Sequence, residues 1–236
     1  MESKFFSQLL EALKLCIAGL PETLMLTFSS VLAGFMLAII LSIPRANKSS
    51  LGGRSVGLFT YVFTGTPLLV QLYIIYYGLP EFSWVQNLQE LKGFEFMKDG
   101  FFWAWLAFTL NTAAYSTEIF AGAIRNTPNG DIEAGTAYGM ARSQLMRHIV
   151  MPSSLRRALP AYSNEVIMMM HGTSLASLVT LMEVMGQTSS YYSRTYELFP
   201  AFTAAGIVYL SLTLIFVFCF RQLEKRYLSH LKRSAH

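Results

Sequence analysis

Charge is what this sequence has least of. Asp, Glu, Lys and Arg together make up 14% of its 236 residues, against about a quarter in an ordinary soluble domain. Residues 23–44 and 55–80 carry no charge at all. With 53% apolar residues and a mean hydropathy of +0.41, the composition points away from a water-soluble fold and towards an integral membrane protein. The formal surplus of +4 is small for a nucleic-acid binder, and its placement matters more than its sum. Cysteine is scarce too. Cys16 and Cys219 lie in apolar surroundings near opposite ends and read as small buried hydrophobes. There is no Cys-x-x-Cys or Cys/His spacing to hold a metal. A phosphate-binding Gly-x-x-x-x-Gly-Lys-Ser/Thr loop is missing, so the chain does not hydrolyse ATP by that route unaided. His171 and Ser174 are three apart, yet no Gly-x-Ser-x-Gly elbow or orienting carboxylate accompanies them, which argues against an intramembrane hydrolase. The start lacks a small-residue cleavage site and carries Glu2, Glu11 and Glu22. It reads as an amphipathic surface helix with Phe5, Phe6, Leu9, Leu13 and Ile17 roughly on one side.

What is present is a set of hydrophobic segments. A bilayer core needs roughly 20 apolar residues per spanning helix. Five candidates meet that length: residues 23–44, 55–80, 101–124, 158–182 and 198–220, the third interrupted by Glu118 and the fourth the most polar. The expected fold is an all-α integral membrane protein with five transmembrane helices, one domain over residues 1–236. Within the second segment, Gly65 and Pro67 mark a local break or kink. Lys and Arg favour cytoplasmic intervals. Thirteen of the 18 sit after the first segment (Arg45, Lys48, Arg54), after the third (Arg125, Arg142, Arg147, Arg156, Arg157) and in the tail (Arg221, Lys225, Arg226, Lys232, Arg233). The opposite set holds only Lys4, Lys14, Lys92, Lys98 and Arg194. The N-terminus is therefore expected outside and the C-terminus in the cytoplasm.

This orientation puts the longest hydrophilic interval, about 126–157, on the cytoplasmic side. It is too short for a core of its own. Pro128, Asn129 and Gly130 form a turn, with Asp131 as an N-cap for a short helix from Ile132. Gly139, in a left-handed conformation, would end that helix. A second helical segment from about Arg142 to Met151 would lead to Pro152. Ala134, Gly135 and Ala137 keep the first helix thin, so that another backbone can approach it. A solvated connector that happens to contain alanines fits the same residues.

The stretch EAGTAYGMARSQLMRHIVMP, residues 133–152, resembles the EAA loop of permease subunits of ABC importers. Glu133 and Ala134, Gly139 six residues after the Glu, Ile149 ten further on and the closing Pro152 fall in register. Gly135 replaces the second Ala and Met151 the Leu. FTGTPLLVQLYIIYYG (63–78), NTAAYSTEIFAGAIR (111–125) and PAYSNEVIMMMHGTSLASLVTLMEV (160–184) are similar to the second, third and fourth spans of polar amino-acid permeases. Within that group the chain looks most like the M-type subunits of histidine and arginine/ornithine importers. The resemblance implies a non-catalytic permease subunit of an ATP-driven importer in the bacterial cytoplasmic (inner) membrane. Its partners would be membrane lipid, a related Q-type permease subunit, two copies of an ATP-binding subunit and an extracytoplasmic amino-acid-binding protein. ATP and Mg would be bound by the ATPase, leaving this chain without a cofactor. The residues from Glu133 to Pro152 would form the helix through which ATPase closure tilts the spans. The competing class is a self-contained secondary amino-acid transporter or channel, which five spans fit less well than half of a two-subunit permease.

Ionisable and amide groups inside a span are costly, by about 2.5–3.5 kcal/mol for the charged types. The candidates here are Asn111, Glu118, Asn164, Glu165 and His171. Asn111 and Glu118 are two helical turns apart and share a face. By resemblance to arginine permeases, Asn111 and Glu165 would help to hold an amino-acid ligand, an acidic side chain suiting a cationic one. In some relatives an Asp lies seven residues after that Glu, where this chain has Gly172, which leaves Thr173 and Ser174 as hydrogen-bonding candidates. A Glu165 held by Asn or Tyr across a helix interface fits the same residues. Glu118, with Arg125 seven residues on, reads as a structural or gating group.

Overall fold

The computed structural model describes residues 2–228, and every regular element among them is helical. The first helix, α1, runs unbroken from Glu2 to Ala46. Its 45 residues reach about 67 Å, more than twice the roughly 30 Å of a bilayer's hydrocarbon core. The expected surface helix and first span are thus one rod, continuous through Pro21. Its early turns are held by packing. Ala12 and Cys16 are buried against Val184, Tyr191, Ala201 and Ala204, with Leu9 and Leu13 alongside, while Phe6 and Ile17 stay on the outside. Beyond Pro21, hydroxyls reinforce the ladder, Thr27 donating to the Thr23 carbonyl (2.7 Å) and Ser30 to that of Leu26 (2.6 Å).

At the centre stands α5, Gly100–Arg125, packed by α1, by α2 (Leu51–Gly65), by α3 (Leu68–Tyr73) and by α8 (Met151–Gly172). Its buried positions are dominated by small residues: Ala104, Ala107, Ala113, Ala114, Ser116 and Ala121. Helix association in lipid depends on such close approach. At Gly34 of α1 a Cβ would lie 3.2 Å from both the Ala113 nitrogen and the Thr109 carbonyl oxygen, and would collide with the Thr112 methyl. A helix so enclosed needs little lipid-facing surface. Only two described helices, Lys4–Ala46 and Leu198–Leu228 (α10), are both long and apolar enough to cross a membrane alone. Counting each of two bent pairs as one span raises that number to 4. The long α5 is not among them; its 26 residues span about 39 Å but carry too many polar groups.

The first bent pair joins Leu51–Gly65 to Leu68–Glu81 at 106°, so the uncharged segment 55–80 is no straight rod. The break falls where Gly65 and Pro67 mark it. Thr66, preceding the proline, is extended (φ −118°, ψ 147°), as the proline ring requires. The second pair, Arg142–Val179 and Val184–Thr195 (α9), bends by 44°. There the chain passes through a 3-10 segment, Thr173–Val179, and a left-handed Thr180 (φ 68°). Two π-turns, Ile74–Gly78 and Met146–Val150, each end two residues before a proline, Pro80 and Pro152. A proline cannot bond to the carbonyl four residues back and its ring clashes with it. The wider turn makes room without ending the helix.

Glu183 ties the start of α9 to the middle of α1 and to α10. It is 0% exposed, and its carboxylate caps α9 by accepting from the Met185 and Gly186 amides, both at 2.8 Å. Tyr209 of α10 donates to the same group at 2.8 Å, and Thr23 of α1 accepts from the Val184 amide at 3.1 Å. Tyr191 lies in this core, 1% exposed. One sequence expectation changes here. Cys219, expected buried like Cys16, is exposed on α10.

The α1–α5 contact makes a direct prediction. Gly34→Val should wedge the helices apart and destabilise the protein by about 1–3 kcal/mol, read as a lower thermal midpoint in detergent. Gly206→Val, at a position with open space around it, should leave the midpoint in place.

Candidate functional site

The break in the second hydrophobic segment opens a cavity of about 440 Å³, lined by Thr66, Pro67 and Leu68 on one side and by Asn111, Tyr115, Asn164 and Glu165 on the other. Asn111 and Glu165, chosen from sequence on separate helices, therefore meet in one space. Asn111 is 5% exposed and donates through Nδ2 to the Gln71 side-chain oxygen at 2.9 Å. Glu165 is only half-buried. Its one close side-chain partner is Thr112, whose hydroxyl donates to Oε1 at 3.4 Å. Tyr115 donates to the Thr64 carbonyl at 3.3 Å, bridging α5 to α2. Thr173 and Ser174 do not join this cavity. Thr173 is buried with its hydroxyl on the Met170 carbonyl, and Ser174 donates to the His171 carbonyl, both at 2.7 Å. They begin the 3-10 segment, where a free hydroxyl finds the carbonyl three residues back. At Gly172, a Cβ would sit 3.0 Å from a Leu68 methyl, so Leu68 already occupies the place next to it. His171 turns away as well, its Nε2 lying 2.8 Å from the Thr213 hydroxyl on α10.

Glu118 does not pair with Arg125. Its Oε1 accepts from Arg45 Nε at 2.5 Å and from the Thr60 hydroxyl at 2.6 Å, joining α1, α2 and α5 near the ends of the first two. Arg125 instead reaches the Arg45 carbonyl at 3.5 Å.

Residues 126–157 form an elbow. The helix α6 runs from Asn129 to Ala137 with Pro128 as N-cap, so Asp131 lies inside its first turn and does not cap it. Proline fits that entry because the first helical amides lack partners in any case. Gly139 is left-handed (φ 77°) and ends the turn as expected. From α7, Arg142–Leu145, the chain continues through the π-turn into α8, so the second arm does not stop at Pro152. Gly135 faces this arm: a Cβ there would meet the tips of the Leu145 and Ile149 side chains. Ile149 thus closes the elbow from inside, and the thinness of α6 serves that internal contact. Glu133, Ala134 and Ala137 face outwards with Tyr138, which is 88% exposed.

The family profile described as "Binding-protein-dependent transport system inner membrane component" matches residues 30–229. The chain belongs to that family. It is the permease component, without catalytic activity of its own, of a multi-pass inner-membrane importer whose ATPase and substrate-binding protein are separate chains. Among similar permeases, the histidine/lysine/arginine/ornithine transport system permease protein HisM of Salmonella typhimurium is 44% identical over 213 residues, covering 90% of each chain. The octopine transport system permease protein OccM of Rhizobium meliloti is 41% identical, covering 88% of this chain and 84% of its own. A crystal structure of an amino acid ABC transporter with histidines shares the fold at a TM-score of 0.78 and 28% identity, over 94% of this chain and 98% of that one. The inward-facing methionine transporter MetNI matches in fold at a TM-score of 0.70.

Two site residues of the permease escaped sequence reading. Gln71 sits in an uncharged, apolar run, where a lone Gln announces no partner. Arg157 counted only as one more cytoplasmic charge, yet it clamps the base of the elbow. Its Nη2 donates to the Ala123 carbonyl (3.1 Å), the Thr127 hydroxyl (2.9 Å) and the Ser154 hydroxyl (3.2 Å), and its Nη1 to Ser153. Ala123 belongs to α5 and the serines to α8, so one guanidinium binds both ends of the interval. Arg157→Ala should cost about 1–3 kcal/mol by removing these charge-assisted bonds. Hydrogen exchange in residues 126–157 should then quicken, and unaltered exchange would remove the clamp from this account.

Proposed function

We propose that the permease carries basic amino acids inwards through the cavity between the Thr66–Pro67 break and the Asn111/Glu165 wall. The observation that carries this reading is the meeting of those two polar residues, an amide and an otherwise weakly held carboxylate, in a space of amino-acid size. A carboxylate in a largely apolar surround favours a cationic partner. The named substrates of the relatives, among them histidine, lysine, arginine and ornithine, support the same class. Membership of an importer family sets aside the self-contained secondary transporter.

In this reading residues 1–236 form one permease domain with five spans, the bent pairs counting as one each and α5 as the fifth. The N-terminus lies outside and the C-terminus in the cytoplasm. The elbow, bearing Glu133, Ala134, Gly139, Ile149 and Pro152, faces the cytoplasm as a coupling helix. A Q-type permease completes the membrane unit, two ATP-binding subunits hold ATP and Mg, and an extracytoplasmic protein delivers the amino acid. Closure of the ATPase pair against α6 moves the elbow and rocks the spans. Its compact build supports that role, since Gly139 turns the chain and Ile149 locks α6 onto the second arm.

Two measurements test this function. Glu165→Gln removes the charge but keeps the shape, and should raise KM for arginine uptake by roughly 10- to 100-fold, the worth of a charge-assisted bond. An unaltered KM would take Glu165 out of the pathway. At Gly139 the surrounding space is open and only the backbone is restrictive. Gly139→Asn, a residue that tolerates the left-handed region, should therefore keep substrate-stimulated ATP hydrolysis, while Gly139→Val loses most of it in complexes that still assemble. Equal stimulation in both variants would contradict the coupling role.

A further inference from the structure

We infer that Gln71 is a positioning residue that fixes the Asn111 amide with its carbonyl oxygen towards the cavity, making this wall a receptor for a nitrogen-borne cation. The inference rests on the proposed transport of basic amino acids and names what selects them.

The argument follows from donors and acceptors alone. One terminal atom of the Gln71 side chain lies 2.7 Å from the Phe63 carbonyl oxygen and 2.9 Å from that of Thr66. Carbonyl oxygens only accept, so this atom must be the nitrogen. A third neighbour agrees. The Thr66 hydroxyl, 2.8 Å away, spends its own proton on the Val62 carbonyl at 2.7 Å and presents a lone pair to Gln71. With its nitrogen so held, Gln71 turns its oxygen to Asn111. The Asn111 atom 2.9 Å from that oxygen must in turn be a donor, Nδ2. No amide flip survives these constraints. The remaining atom, Oδ1 of Asn111, accepts from no donor among the described residues, and Asn111 lines the cavity.

The other polar atoms of the wall have the same sign. Glu165 keeps a carboxylate oxygen free beyond its single long bond to Thr112. Tyr115 has given its proton to Thr64 and offers lone pairs only. Asn164 and the second Nδ2 hydrogen of Asn111 are the donors this wall still offers, fewer than its acceptors. A cavity with this excess of acceptors suits an ammonium or guanidinium group and is a poor host for a carboxylate. Gln71 itself, 6% exposed, is not among the cavity-lining residues, so it acts through Asn111.

The test is competition binding of labelled arginine to the purified permease–ATPase complex without its substrate-binding protein. Citrulline, lacking the side-chain cation, and 5-guanidinopentanoic acid, lacking the α-ammonium, are the competitors. In the wild type at least one of them should compete about tenfold or more worse than arginine. Gln71→Met should weaken arginine about tenfold and erase that discrimination. Loss against citrulline identifies the side-chain cation as the group received, and loss against 5-guanidinopentanoic acid identifies the α-ammonium. The double variant Gln71→Met/Asn111→Ala should bind no worse than Asn111→Ala alone, a non-additivity that a purely structural Gln71 would not produce. Retained discrimination in an assembled Gln71→Met complex, or additive losses, would overturn the inference. Should Gln71→Met not assemble, Asn111→Ala decides: unweakened arginine binding overturns the inference, and a tenfold loss supports it. A wild-type complex that binds no arginine would instead refute the proposed substrate class, a failure separate from any result with the variants.

Discussion

A helix broken inside a membrane leaves carbonyls and amides with no water to turn to, and each must find a partner in protein. The Thr66–Pro67 break meets that demand mostly with one side chain. Gln71 reaches back across the bend to the Phe63 and Thr66 carbonyls, and the Thr66 hydroxyl returns to Val62. Without such satisfaction a 106° turn would expose polar backbone to lipid or to an empty cavity. The same side chain joins the bend to α5, so architecture and recognition share one amide.

Much of this organisation was legible in the sequence. The break could be read from Gly65 and Pro67 because glycine and proline act locally. Gly139 could be read for the same reason, since a positive φ next to a short helix has few other occupants. Asn111 and Glu165 were two of five polar groups that apolar segments made conspicuous, and the resemblance to arginine permeases singled them out. What could not be read depended on tertiary partners. Arg157 and Gln71 show no special pattern along the chain, because the atoms they hold lie on other segments. The continuous α1 was hidden by Pro21 and Glu22, which suggest a boundary until the packing of Ala12 and Cys16 against α9 and α10 is known. Thr173 and Ser174 lie where the helix passes into a 3-10 segment, and there their hydroxyls turn back onto carbonyls three residues earlier.

Polarity is distributed by enclosure. The most enclosed helix, α5, holds no stretch apolar enough to cross a membrane alone, while α1 and α10, which do, face outwards over much of their length. Hydropathy therefore measures contact with lipid more than passage through it. The same logic holds for Glu183, a carboxylate tolerated in the core because two amides and a tyrosine hydroxyl meet it.

The Arg157 grip has a consequence for how the cavity can open. Asn111 rides on α5 and Glu165 on α8, and those two helices are moored to each other at the elbow by the Arg157 guanidinium and by the Ser154 hydroxyl, which donates to the Ala123 carbonyl. On the proposed coupling role of α6, a displacement entering there would reach both together, and the two polar residues would travel as one plate. The seam left to part lies along the other edge, where the plate meets the half-helices on either side of Pro67 and is stitched by Asn111 to Gln71, Tyr115 to Thr64 and Thr60 to Glu118. A passenger in the cavity would sit beside that stitching, and its release would be a matter of unfastening those hydrogen bonds, with no need to pry the plate apart.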